Sequence, residues 1–250
     1  MDVALALFSV PPALALGSFL NVVAARLPEG RSLVHPPSSC VSCGTRVAWH
    51  DNVPVVSFLL LRGRCRSCGA RIGVRYLAVE VLTAVLVAGC FLRFGLSGEA
   101  FVAAVFVAAL VALSAIDAER RILPDKIVLP TAALVFAAHV ALMPDRTLEW
   151  VLAPLGSALF LFAAILVHPR GMGMGDVKLC LLLGAMLGKT VLVALMVGML
   201  AALVPSLLLF ARHGAAARKM YIPFGPFLAF GGVVALFWGD ALLDAYLGTF

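Results

Sequence analysis

Two carboxylates stand where an apolar chain has little reason to keep a charge. Asp117 closes the hydrophobic run in ALVALSAIDAERRILPDKIVLP. Asp176 opens another behind HPRGMGMG, in which Gly171, Gly173 and Gly175 sit at every second position. A charge at the end of a membrane helix is expensive unless it lines a polar cavity, so both are functional candidates. If they meet, the two cannot both ionise readily, and one keeps a proton. The ionised member can then deprotonate water while the protonated member polarises a peptide carbonyl, which is aspartic proteolysis. The protons belong to the pair. A helix N-terminus at Asp176 would favour its ionised form and makes it the preferred base. The glycines permit a tight, non-helical entry and let a substrate backbone come close. A plain loop with a helix-capping Asp176 is the competing reading, and Asp125, next to Pro124, reads as an N-terminal cap.

Four of the six cysteines form a second constellation. CVSCGTRV (40–47) and CRSCGARI (65–72) both read Cys-x-Ser-Cys-Gly-x-Arg-aliphatic. Two thiolates two residues apart can grip one ion. The glycine after the second allows a positive-φ turn, and backbone amides can point at the sulfurs. Cys40, Cys43, Cys65 and Cys68 together complete a closed tetrahedral zinc site, structural because no position is left for water. Disulfides, a thiol-redox pair and unliganded thiols are the alternatives. A cytosolic location argues against stable disulfides, and no βαβ pattern surrounds the pairs. A basic segment with few large apolar residues needs the metal for its stability. Cys90 and Cys180 lie in apolar runs and read as packing residues.

Glu80 lies about one turn inside an apolar helix. It is a functional candidate, with Arg75, Lys178 or a substrate amine as partner, or else half of an interfacial salt bridge. Asn21 lines the same cavity or bonds a neighbouring helix. Lys178 snorkels to the interface. His35, His50, His139, His168 and His213 show no metal spacing and read as surface or interface residues. Asp2, Glu29, Asp51, Glu99, Asp145 and Glu149 read as solvated charges, and Asp240 and Asp244 as interfacial ones.

The elements that must carry these groups follow from composition. Of 250 residues, 63% are hydrophobic and 13% charged, and mean hydropathy is +1.07. Soluble domains run near 45–50% apolar, so the chain is an integral membrane protein. Apolar runs place spans near 3–25, 77–93, 100–117, 127–143, 150–167, 177–188, 190–211 and 223–247. The stretch 177–211 would be about 50 Å long as one helix, too long for a core of about 30 Å. Gly188-Lys189 is the plausible break. The expected fold is an all-α polytopic membrane protein of about eight transmembrane helices, with a small cytosolic zinc-binding domain between the first two. Its parts are a first helix (1–25), the four-cysteine domain (26–76) and a transmembrane core (77–250).

With eight spans, sixteen of the nineteen Lys and Arg residues fall on one side. Only Arg93, Arg146 and Lys189 fall opposite. By the positive-inside rule the rich side is cytoplasmic. The net charge of +6 therefore reflects topology and lipid contact, not nucleic-acid binding.

Taken together these residues resemble the type IV prepilin peptidases, membrane aspartyl proteases of the Gly-x-Gly-Asp class. GSFLNVVAARLP (17–28), the two Cys-x-x-Cys pairs, YLAVEVLTA (76–84), IDAERRILPDKIVLP (116–130), GMGDVKL (173–179) and IPFGPFLAFGG (222–232) carry the likeness, in order along nearly the whole chain. The resemblance implies an enzyme of the bacterial inner membrane that cleaves the basic leader of prepilins or pseudopilins after a glycine, at the cytoplasmic face. It then N-methylates the new N-terminal residue with S-adenosylmethionine. By motif matching the protease pair is Asp117 and Asp176, and the zinc ligands are Cys40, Cys43, Cys65 and Cys68. The cysteine pairs favour the bifunctional form over a peptidase alone. A non-catalytic membrane scaffold with a zinc module is the remaining alternative. The substrate's identity and the oligomeric state are left open by the sequence.

Overall fold

A computed structural model describes residues 2–167, 172–214 and 222–248. His168, Arg170 and Gly171, and the basic residues Arg218 and Lys219, lie outside the described residues. Eight long α-helices account for most of the rest: α1 (Asp2–Arg26), α3 (Val74–Phe94), α4 (Gly98–Arg120), α5 (Asp125–Leu142), α6 (Thr147–Val167), α7 (Met174–Leu187), α8 (Val191–His213) and α9 (Gly225–Leu247). A five-residue helix, α2 (Val56–Leu60), lies in the connection between α1 and α3. Among the described residues, seven apolar stretches are long enough to cross a membrane. The longest, Met174–His213, is interrupted by a 3-10 turn at Gly188–Thr190, which gives the eight helices that the apolar runs call for.

The physics of that interruption is local. Gly188 has φ +55°, a left-handed conformation that glycine adopts without strain. The Lys189 amide left free at the break donates to Glu149 Oε1 at 2.9 Å. Glu149, read from sequence as a solvated charge, therefore caps the break, and Arg146 pairs with it at 3.2 Å. At 14 residues α7 is about 21 Å long, shorter than the hydrocarbon core.

The chain divides into two compact units, 1–115 and 116–250, with the boundary inside α4. In the first unit α1 packs along α3. A Cβ on Gly17 would lie 2.7 Å from the Glu80 Cα, so only glycine allows this approach of backbones. In the second unit α7 is the core: Leu179, Cys180, Leu182 and Leu183 are fully buried. Helices α5, α6 and α9 surround it. Cys90 and Cys180 are both buried, as packing residues should be.

His139 corrects the sequence reading. It is 1% exposed rather than at a surface. Its Nδ1 donates to the Ala185 carbonyl at 3.0 Å, and its ring stacks on Trp150 at 4.3 Å. A buried polar ring needs such a partner, and this one ties α5, α6 and α7 together.

Candidate active site and metal centre

Asp117 sits on the last turns of α4, and the helix ends just beyond it at Arg121, whose φ is +57°. Asp176 is the third residue of α7. Both carboxylates are buried, at 6% and 5% exposure. Each accepts a backbone amide. Gly225 N–H donates to Asp117 Oδ2 at 3.0 Å, and Gly173 N–H donates to Asp176 Oδ2 at 3.1 Å. Gly225 opens α9, so Asp117 borrows a helix N-terminus from another element, while Asp176 lies at the N-terminus of its own helix.

Leu123 joins the two halves. A Cβ on Gly175 would lie 3.1 Å from the Leu123 Cβ. One on Gly225 would lie 3.3 Å from Leu123 Cδ2 and 2.7 Å from Asp117 Oδ2. Gly175 thus makes room for Leu123, whereas Gly173, with φ −96°, adopts ordinary extended backbone. The turn that carries Asp176 and the helix start that holds Asp117 thus both pack on Leu123. Two acids brought to one site do not both ionise readily, and one keeps its proton. Gly225 and Leu123 carry no chemistry of their own, which is why sequence reading gave them no role. The Gly-Pro opening of α9 was the available signal.

Two further corrections belong here. Asp125 is not a side-chain cap: it is the first residue of α5, following Pro124. Instead it accepts Lys178 Nζ on both oxygens at 2.8 Å, so Lys178 joins α7 to α5 rather than reaching alone for an interface.

In the first unit, the repeated cysteine motif folds as two matching knuckles. Cys40 N–H bonds Thr45 O, and Gly44 N–H bonds Cys40 O. Cys65 N–H bonds Ala70 O, and Gly69 N–H bonds Cys65 O. Gly44 and Gly69 both have φ +71°. Each knuckle is closed by one antiparallel bridge, Ser39 with Arg46 and Arg64 with Arg71. All four sulfurs lie within 4.8 Å of one another, and Cys40 Sγ is 3.8 Å from Cys68 Sγ. A tetrahedron with metal–sulfur bonds near 2.3 Å has edges of about 3.8 Å, so the cluster could hold a zinc ion.

The thiols' electrostatics agree. Backbone amides of Cys43 and Ser42 lower the Cys40 pKa, and those of Cys68 and Ser67 lower that of Cys65. Thr45 lowers that of Cys43 through its side chain. Ala70's amide pulls Cys68 the same way, but hydrogen bonding with the other thiols, Cys43 first, together with burial, pushes it up to about 11. Asp51, read as a solvated charge, instead pairs with Arg66 at 2.6 Å, and this partner holds its carboxyl below the usual range.

Glu80 is buried, at 8% exposure. Its Oε2 accepts the Val55 N–H at 2.8 Å. Val55 has φ +62°, an uncommon conformation for a β-branched residue, costing on the order of 1–3 kcal/mol. Asn21 bonds the neighbouring helix, donating to Tyr76 O at 3.0 Å, and lines the same cavity as Glu80.

Family comparisons bear on both units. Residues 12–94 match the Bacterial Peptidase A24 N-terminal domain, and residues 104–210 match the Type IV leader peptidase family. A protein of Pseudomonas putida named prepilin leader peptidase/N-methyltransferase is 40% identical over 260 residues, covering 92% of this chain and 89% of that one. Proteins of the same name from Pseudomonas aeruginosa and Bacillus subtilis are 37% and 34% identical. They cover 94% of this chain, and 90% and 94% of their own lengths. No solved structure matches the chain.

Proposed function

The chain belongs to the type IV leader peptidase family, and on that premise we propose that it removes the leader of type IV prepilins or pseudopilins after a glycine and then N-methylates the residue exposed. The observation that carries the reading is the pair of buried carboxylates, Asp117 and Asp176, each fixed by a backbone amide. We assign the peptidase chemistry to them. One is ionised and takes a proton from water as its oxygen attacks the scissile carbonyl carbon. The other, protonated, donates to the carbonyl oxygen. Collapse of the tetrahedral intermediate breaks the C–N bond, and the leaving amine takes up the proton. Because both acids receive the same kind of amide and helix-terminus support, the roles belong to the pair.

Cys40, Cys43, Cys65 and Cys68 would hold a structural zinc ion that cross-links the 26–76 domain; their mutual spacing supports this. S-adenosylmethionine, when bound, supplies a methyl group activated on a sulfonium. Glu80 is the candidate residue for that half of the work. Loop charge supports a bacterial inner-membrane location with the active site at the cytoplasmic face, where a prepilin's basic leader would lie. The transmembrane core beginning at residue 77 would carry the peptidase.

The test is incubation of the detergent-solubilised protein with a prepilin, with and without S-adenosylmethionine, read by intact mass. Wild-type protein yields the trimmed pilin, heavier by one methyl group when the donor is present. Asp117→Asn and Asp176→Asn should each slow trimming by roughly 10²–10⁴-fold. Trimming at the normal rate by either variant refutes that residue's role, and trimming without methylation refutes the second activity.

A further inference from the structure

The cavity walled by α1, α3 and the cysteine knuckles holds groups that neither proteolysis nor metal binding uses. Its volume is about 640 Å³, within the 300–1,000 Å³ typical of small-molecule sites. Three of its polar side chains are more than nine-tenths buried: Asn21 at 4% exposure, Glu80 at 8%, and Ser57 at 6%, whose hydroxyl donates to the His50 carbonyl. Asn21 Oδ1 has no hydrogen-bond partner. Glu80 commits Oε2 to the Val55 amide. Phe58, Tyr76, Arg46 and Arg71 line the same space. The two arginines occupy equivalent places in the repeated Cys-x-Ser-Cys-Gly-x-Arg motif, and tetrahedral coordination needs neither of them.

We propose that this cavity is the methyl-donor site and binds S-adenosylmethionine; the proposal rests on the methyltransferase half of the function above. Each part of that ligand has a matching group on the walls. A permanent sulfonium cation suits a buried carboxylate, whose desolvation is costly without an opposite charge. Aromatic faces add attraction for the cation and a surface for a flat base. Guanidinium groups take a carboxylate with two parallel hydrogen bonds, so Arg46 and Arg71 receive the amino-acid end. The unpartnered Asn21 oxygen accepts an N–H from the ligand, which removes the cost of leaving it unpaired. The knuckles therefore do more than fold around a metal: they present two arginines to the ligand.

Equilibrium binding to the zinc-loaded, full-length protein in detergent tests this, using S-adenosylmethionine and its uncharged product S-adenosylhomocysteine. Glu80→Gln keeps an oxygen for the Val55 amide and removes the charge. It should weaken the sulfonium ligand by at least about tenfold and the thioether much less, with zinc content unchanged. Light-induced cross-linking of radiolabelled donor to the wild-type protein should mark peptides within residues 15–80, a readout independent of any variant's folding. Equal weakening of both ligands, or label confined to residues 116–250, overturns the site and leaves the methyltransferase reading standing. Failure of the wild-type protein to bind the donor at all overturns both.

Discussion

Gly225 shows how a residue without chemistry can set the chemistry of its neighbour. Its amide fixes Asp117, and its missing side chain leaves room for the carboxylate: an added Cβ would stand 2.7 Å from Asp117 Oδ2 and 3.3 Å from Leu123 Cδ2. Gly225→Ala must therefore displace the acid. We expect kcat for leader cleavage to fall by about 10²-fold with KM little changed, the effect of a misplacement near 1 Å. Steady-state cleavage kinetics measure it, and an unaltered kcat would mean that Asp117 is not held for reaction. Glu80 is the converse case. Its carboxylate was visible in the sequence, but its partner, the Val55 amide 25 residues earlier, was not. A charged side chain advertises its need for compensation, whereas a backbone donor looks the same at every position.

Two features decide matters at the level of elements. To hold a zinc ion the knuckles would need four deprotonated sulfurs, and metal loading would have to drive the last proton from a cluster in which Cys68 is pushed up to about 11. Protons and metal thus compete, so zinc affinity falls as pH falls. A competition titration against a chromogenic chelator should show this slope, and Cys68→Ser should lose stoichiometric zinc. The other feature is the crossing of α6 and α7, where a Cβ on Gly184 would overlap the Pro154 backbone. Small residues let membrane helices approach closely. Gly184→Leu should push α7 from α6, lowering the melting temperature in detergent by several degrees, as a loss of about 1 kcal/mol or more would in a chain of this size. An unchanged melting temperature would show that the crossing is not needed.

For the whole molecule the governing quantity is the number of spans. The 40-residue stretch Met174–His213 becomes two helices because Gly188 turns and Glu149 caps the free amide. Eight spans would put both ends of the chain on one side, and on the proposed orientation the basic loops lie on the other, in the cytoplasm. Alkaline phosphatase fused after Leu247 should therefore be active outside the cytoplasm, and green fluorescent protein fused there should be dark. The opposite result would mean an odd number of crossings. A two-unit division, 1–115 and 116–250, sits well with two activities on one chain: the carboxylate pair belongs to the second unit, the knuckles and the Glu80 cavity to the first.

The sequence by itself determined the membrane class, the helix positions, the break at Gly188-Lys189 and the four cysteines, because hydropathy, glycine freedom and thiol spacing are local properties written in consecutive residues. The tertiary structure alone decided which amide holds which acid, that Asp125 pairs with Lys178, that His139 is buried against Trp150, and that Arg46 and Arg71 line the cavity containing Glu80 and Asn21. Those relations join residues tens of positions apart. They depend on where packed helices stop and which of their ends meet, and no periodicity along the chain encodes that.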